Sequence, residues 1–169
     1  MELWADFGDI TSIMENQAVD LRERRLRYQG ISLLTALVVQ YALGMYVNLF
    51  VQFPDNAGPV DLWRFAVRQW PLAFHIILGA LLFIGSLALM MGAIRYRSYA
   101  WQAPAVIGFI AILIAAISGT SFIPTRSDPF SYVMALSFIL AILAYSWGMM
   151  RAGRILKPPA TAWKNGPEP

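Results

Sequence analysis

The 169-residue sequence contains no cysteine and a single histidine, and only 14% of its residues are charged. Without cysteine there is no disulfide scaffold, no zinc–thiolate or iron–sulfur site and no thiol redox centre. One histidine also leaves an ordinary transition-metal site, which needs several converging ligands, without its donors. Walker-type phosphate loops and dinucleotide-binding glycine fingerprints are missing. Serines, His75 and Asp128 are all present towards the outer ends of the candidate helices, but no glycine-flanked nucleophile turn accompanies them, so no enzymatic activity is expected. What the sequence has instead is apolar surface: 58% of residues are hydrophobic and the mean hydropathy is +0.54. A soluble domain is about 45–50% apolar and about 25% charged. Intrinsic disorder, which needs low hydrophobicity and high net charge, is excluded too.

The placement of charge is more informative than its scarcity. No charged residue lies between Arg27 and Asp55, Arg68 and Arg95, Arg97 and Arg126, or Asp128 and Arg151. Each gap holds an apolar core: Ile31–Val51, Pro71–Ile94, Ala103–Ile123 and Phe130–Met150. A bilayer core of about 30 Å is crossed by about 20 apolar residues in a helix. The pattern therefore predicts an all-α integral membrane protein, a four-helix antiparallel transmembrane bundle.

The flanks predict its orientation. One set of flanks holds Arg22, Arg24, Arg25, Arg27, Arg95, Arg97, Arg151, Arg154, Lys157 and Lys164; the other holds only Arg64, Arg68 and Arg126. The positive-inside rule then places both termini in the cytoplasm. By the same reading the net charge of +3 is a topology signal, and no nucleic-acid partner is expected. Aromatic residues at the span ends, Tyr96, Tyr99, Trp101 and Trp147 inside and Phe50, Trp70, Phe122, Phe130 and Tyr132 outside, are read as interfacial anchors. A prokaryotic cytoplasmic membrane is the expected location.

Three segments divide the chain: residues 1–28, a cytoplasmic amphipathic helix; 29–152, the four-helix transmembrane domain; and 153–169, a flexible cytoplasmic tail rich in proline. Leu3, Phe7, Ile10 and Met14 recur at helical spacing, while Glu2, Asp6, Asp9 and Glu15 make the polar side acidic. Helices that lie on anionic lipid are usually basic there, so a protein partner suits this one better. Asp20/Arg24 and Glu23/Arg27 pairs at i,i+4 favour helix running on into the first span. In the first outer loop, turn chemistry at Pro54–Gly58 precedes Pro59, a good first helical residue. A short interfacial helix is expected there, with Trp63, Val67 and Trp70 on one face.

Within the spans the polar inventory is short. Span one carries Ser32, Ala36, Gln40, Gly44 and Asn48, each four residues from the last, with Gln40 near mid-depth. Small and amide side chains in such a stripe serve close helix packing and interhelical hydrogen bonds. A polar wall facing a pore or a neutral solute is the functional alternative, centred on Gln40, Gly44 and Asn48. Ala111, Ala115 and Gly119 in span three, and Ser137, Ala141 and Tyr145 in span four, are read as packing seams.

His75 lies in the outer third of span two, with Gly79 one turn later. A neutral imidazole can ligate haem iron, and a nearby glycine leaves room for a flat macrocycle. Met45 and Met134, at similar depth, are candidate thioether ligands. The string His75-Ile76-Ile77-Leu78-Gly79 resembles the haem-carrying helices of several membrane cytochrome b families and of haem A synthase relatives. That resemblance spans five residues and implies a b-type haem with His75 as axial ligand. Those families usually present two or more helix histidines, whereas this chain has one and cannot supply bis-histidine ligation alone. The structural alternative for His75 is a hydrogen bond to Asn48, Ser118, Thr120 or Ser121. Weighed together, these features predict a non-catalytic accessory subunit without a cofactor, embedded in the lipid bilayer and packing on other integral membrane subunits or on copies of itself. A haem-binding electron carrier and an oligomeric pore or carrier for a neutral solute are the alternatives.

Overall fold

In the computed structural model, residues 2–54 and 57–155 are described. The tail expected from Lys157 and the turn residues Asp55 and Asn56 lie outside the described residues, as do the side chains of the stripe at Leu3, Phe7 and Ile10. The described chain is helical throughout apart from short links: α1 (Glu2–Phe50), α2 (Pro59–Arg68), α3 (Trp70–Arg95), α4 (Gln102–Thr125) and α5 (Asp128–Ile155). Four of these, α1, α3, α4 and α5, are long and apolar enough to cross a membrane. The 24 to 28 residues of α3, α4 and α5 give about 36–42 Å of helix, enough for the hydrocarbon core and a turn of interface at each end.

Local chemistry sets the breaks. Pro59 opens α2 and Pro71 sits in the first turn of α3, where a missing N–H costs nothing. Between them Gln69 is extended (φ −80°, ψ 108°) and turns the chain from one helix into the next. The link from α3 to α4 uses a C-terminal cap in which Arg97 N–H donates to Ile94 O (3.1 Å) and Ser98 N–H to Ala93 O (3.0 Å). This cap requires a left-handed residue, normally glycine, and Arg97 occupies it at φ 50°. Arg126 does the same after α4, at φ 52°.

The long helices form a closed ring, with α1 and α4 each packed between α3 and α5. Facing pairs along α1 and α3 run Gly44–His75, Gln40–Gly79, Leu33–Gly85 and Leu26–Gly92, so these helices are antiparallel. Gly108–Tyr145 and Gly119–Met134 show the same for α4 and α5. The buried and half-buried positions alternate three and four residues apart: Leu26, Gly30, Leu33, Leu37, Gln40, Gly44 and Val47 on α1, and His75, Gly79, Leu82, Ser86, Leu89 and Ala93 on α3. On α4 the row is Pro104, Gly108, Ala111, Ala115 and Ser118; on α5 it is Met134, Phe138, Ala141, Tyr145, Gly148 and Ala152. Such a heptad seam is the signature of helices crossing at about 20° with side chains meshed knob into hole. Of the expected packing seams, Ala111, Ala115, Ala141 and Tyr145 lie on these rows, and Gly119 and Ser137 stand one position beside them. Apolar side chains off the rows, such as Ile84, Ile117 and Leu143, face outward, as suits helices whose solvent is hydrocarbon.

Glycines act as sockets for large side chains across the seam. A Cβ on Gly108 would lie 2.5 Å from the Tyr145 ring, and one on Gly148 would lie 2.7 Å from the Trp101 ring. Gly30 approaches the same indole from the other side. Trp101 is therefore no interfacial anchor, as its place in the sequence suggested, but a plug with 0% exposure held between α1 and α5. The two glycines open a slot that a six-membered ring fills, and burial there outweighs its place at a span end.

One face of α2 is turned to the bundle. Leu62 and Ala66 are its buried residues, packing with Val47, Leu72 and Ile123 in a small second cluster. Val67 and Trp70 point outward, and Trp70 is 71% exposed. Trp63 packs at the edge of the same cluster.

Candidate functional site: a polar knot between α1 and α3

Gln40 is 2% exposed and lies on the α1 seam, where the heptad places an otherwise apolar residue. Its amide Nε2–H donates to the backbone carbonyl of His75, 2.9 Å away. Two glycines make this contact possible. The imidazole lies against Gly44, whose missing Cβ would stand 3.0 Å from its Cε1, and the Gln40 amide lies over Gly79 at 3.2 Å from the corresponding position. Each helix thus contributes one polar side chain and one glycine, in reciprocal register. Gln40 Oε1 and His75 Nδ1 are both buried without a hydrogen-bond partner. The knot ties the two helices together and leaves one acceptor and one imidazole nitrogen unused.

None of the four hydroxyl or amide partners expected for His75 meets it. Asn48 is exposed one turn beyond Gly44, and the Thr120 hydroxyl donates back to Ala116 O and Ile117 O in its own helix. Nor do Ser32, Ala36, Gln40, Gly44 and Asn48 form one face. Gln40 is buried and Ala36 and Gly44 are half-buried, while Ser32 and Asn48 are exposed. The reason is helical geometry: each four-residue step overshoots a full turn by about 40°, so a stripe of five such residues winds about 160° around the axis. Only its middle can face α3, and it does not line one continuous polar wall.

The residues considered for haem are not brought together. Gly79, the expected space for a macrocycle, is occupied by the Gln40 amide, and Gly44 by the imidazole itself. Met45 is 44% exposed on the outer side of α1. Met134 packs on the opposite pair of helices, its Sδ 3.2 Å from where a Gly119 Cβ would stand. Among the described residues no group of three His, Asp or Glu side chains gathers as metal ligands.

A second polar pair lies deeper along the core. Tyr145, fully buried on Gly108, has Ser86 set against its hydroxyl, but Ser86 Oγ donates to Phe83 O (2.8 Å) and the Tyr145 hydroxyl has no partner in hydrogen-bond geometry. The Trp101 indole N–H is likewise buried and unpaired. The alternating three-and-four spacing of Ser86, Tyr145 and Gly108 within their helices was the available signal for this layer. Compared with family models, with curated proteins and with solved structures, the chain matches none.

Proposed function

We propose that this protein is a non-catalytic accessory subunit of a larger membrane complex, anchored by its bundle and docked through the projecting first turns of α1. The observation that carries this reading is the length of α1. At the α1–α3 register, the end of α3 at Arg95 falls level with the Glu23–Arg24 step. Residues 2–22 therefore continue as helix past the bundle, about 30 Å beyond its end. A helix outside a bundle draws little stability from propensity alone and gains it by packing one face on something else.

The exposed side chains fit that role. Met14 is 57% and Leu21 67% exposed. Leu21 precedes the seam residue Leu26 by five positions, which turns it about 140° away from the bundle's own seam. The sequence repeats the same phase at Leu3, Phe7 and Ile10, with acidic residues alongside, which favours a protein partner over anionic lipid. The Lys/Arg asymmetry supports a cytoplasmic location for both termini in a prokaryotic inner membrane, with α2 in the outer interface and its exposed Val67 and Trp70 towards lipid.

Native mass measurement after mild solubilisation tests this. The expected result is a complex with an unrelated membrane protein, lost on removing residues 2–16 while the thermal stability of the bundle changes by less than about 0.5 kcal/mol. A monomer or a pure homo-oligomer overturns it. Because the chain is free of cysteine, single substitutions at the exposed Gln102 and at Ser127, Gln102→Cys and Ser127→Cys, report orientation directly through an impermeant maleimide in intact cells. Labelling of Gln102→Cys alone would reverse the orientation.

A further inference from the structure

We propose that the basic end of the bundle is a binding surface for anionic phospholipid headgroups, centred on Arg97 and Arg151. The occupant is lipid, so this inference stands apart from the protein docking assigned to the projecting helix.

Four arginines between positions 22 and 27 of α1, Arg95 and Arg97 at the end of α3, and Arg151 on α5 meet at this end. Among the described residues the one ion pair is Arg64–Asp61 at the opposite end, so none of these guanidiniums has a carboxylate within 4.0 Å. Asp20 and Glu23 are the carboxylates described nearby, and neither pairs with them. Two of the guanidiniums are instead held by rings: Arg151 lies 4.5 Å from the Tyr99 centroid and 5.2 Å from that of Trp147, and Arg22 lies 5.4 Å from Tyr96. A guanidinium stacked by its face keeps its N–H edge free, and that edge matches two phosphate oxygens. Beside the half-buried Arg151, Arg97 adds an exposed guanidinium, presented from a left-handed position (φ 50°) where glycine is the unstrained choice.

The depth of the surface selects the phosphate's source. The arginines flank the charge-free stretches of the spans, the level of headgroups and of tyrosine and tryptophan belts. Ile94 and Met150, directly next in sequence to Arg95 and Arg151, are 52% and 61% exposed and offer acyl chains a surface that a soluble anion would not use. Orientation by positive charge requires only the number of cations, which lysines would serve equally. It does not require aromatic stacking or an arginine at a strained cap.

The test titrates phosphatidylglycerol and phosphatidylcholine against the full chain in dodecyl maltoside, with bound lipid counted by native mass spectrometry. Phosphatidylglycerol is expected to be held at least about tenfold more tightly, since each basic group near an anionic surface contributes about fivefold. Arg97→Gly with Arg151→Ala should remove about tenfold or more of that preference and leave phosphatidylcholine unchanged. Arg97→Lys with Arg151→Lys, which keeps the charge, should fall between, and Arg64→Ala with Arg68→Ala should have no effect. Equal retention of the two lipids, or an unchanged preference in the Gly/Ala variant, overturns the proposal. So does complete displacement by millimolar inorganic phosphate, which would make this a soluble-anion site. Should the variants not fold, the unmodified protein still decides: retention of phosphatidylglycerol that does not weaken with rising salt overturns the proposal.

Discussion

The two ends of the bundle are closed by different means. At the basic end one side chain, Trp101, plugs the space between α1 and α5, and the surrounding arginines make no ion pair among the described residues. At the opposite end an entire helix, α2, covers the ring with a small cluster of Leu62, Ala66, Leu72, Val47 and Ile123. Its charges are used within the protein: Arg64 pairs with Asp61 at 2.9 Å, and Arg126 donates to Pro54 O at 3.1 Å. The two left-handed arginines make the contrast compact. Arg126 ties the α4–α5 link to the chain after α1, whereas Arg97 presents its guanidinium to the surroundings. One end is finished by tertiary contacts, and the other is left open to something outside the chain.

Replacing the plug should have the largest effect. Trp101→Ala empties a slot lined by Gly30 and Gly148 and should cost about 3–5 kcal/mol, read as a lowered midpoint of thermal unfolding by circular dichroism in detergent. Leu62→Ala at the other end should cost less, about 2–3 kcal/mol, because its cluster is small. A larger loss for Leu62→Ala than for Trp101→Ala would reverse the contrast. The capping arginines sharpen it. Arg97→Gly relieves a left-handed side chain with no partner and should stabilise the protein by about 1 kcal/mol in neutral detergent. Arg126→Gly relieves the same strain but loses the bond to Pro54, so its net change should be close to zero. Equal gains from both would mean that the Pro54 bond contributes nothing. An effect between these two belongs to neither end. Gln40→Leu removes the amide bond to His75 and should cost about 0.6 kcal/mol, the usual scale for interhelical hydrogen bonds in membranes, again read from unfolding.

Legibility differed between levels. The four spans and the short helix opening at Pro59 were readable because apolar length, charge placement and proline position are local properties that no partner can change. The amide and imidazole of the knot were readable as unusual residues, and Gln40 as a packing residue, but their partnership was not. His75 offered four nearer-seeming partners, and its helix instead receives Gln40 through a backbone carbonyl, a group every residue has. Trp101 was misplaced because its slot is made by two glycines more than forty positions away on either side.

The sequence by itself thus determined that the chain is helical, how many helices can cross a membrane and where each ends. The tertiary structure decided which face of each helix is inside. A stripe at i,i+4 winds around its helix, and only the arrival of a neighbour fixes which part of it is buried. On α1 that neighbour selected the alternating seam through Leu37, Gln40 and Gly44 and turned Asn48 and Met45 outward. Spans follow from solvent preference, which each residue carries with it; seams follow from complementarity, which exists only between helices.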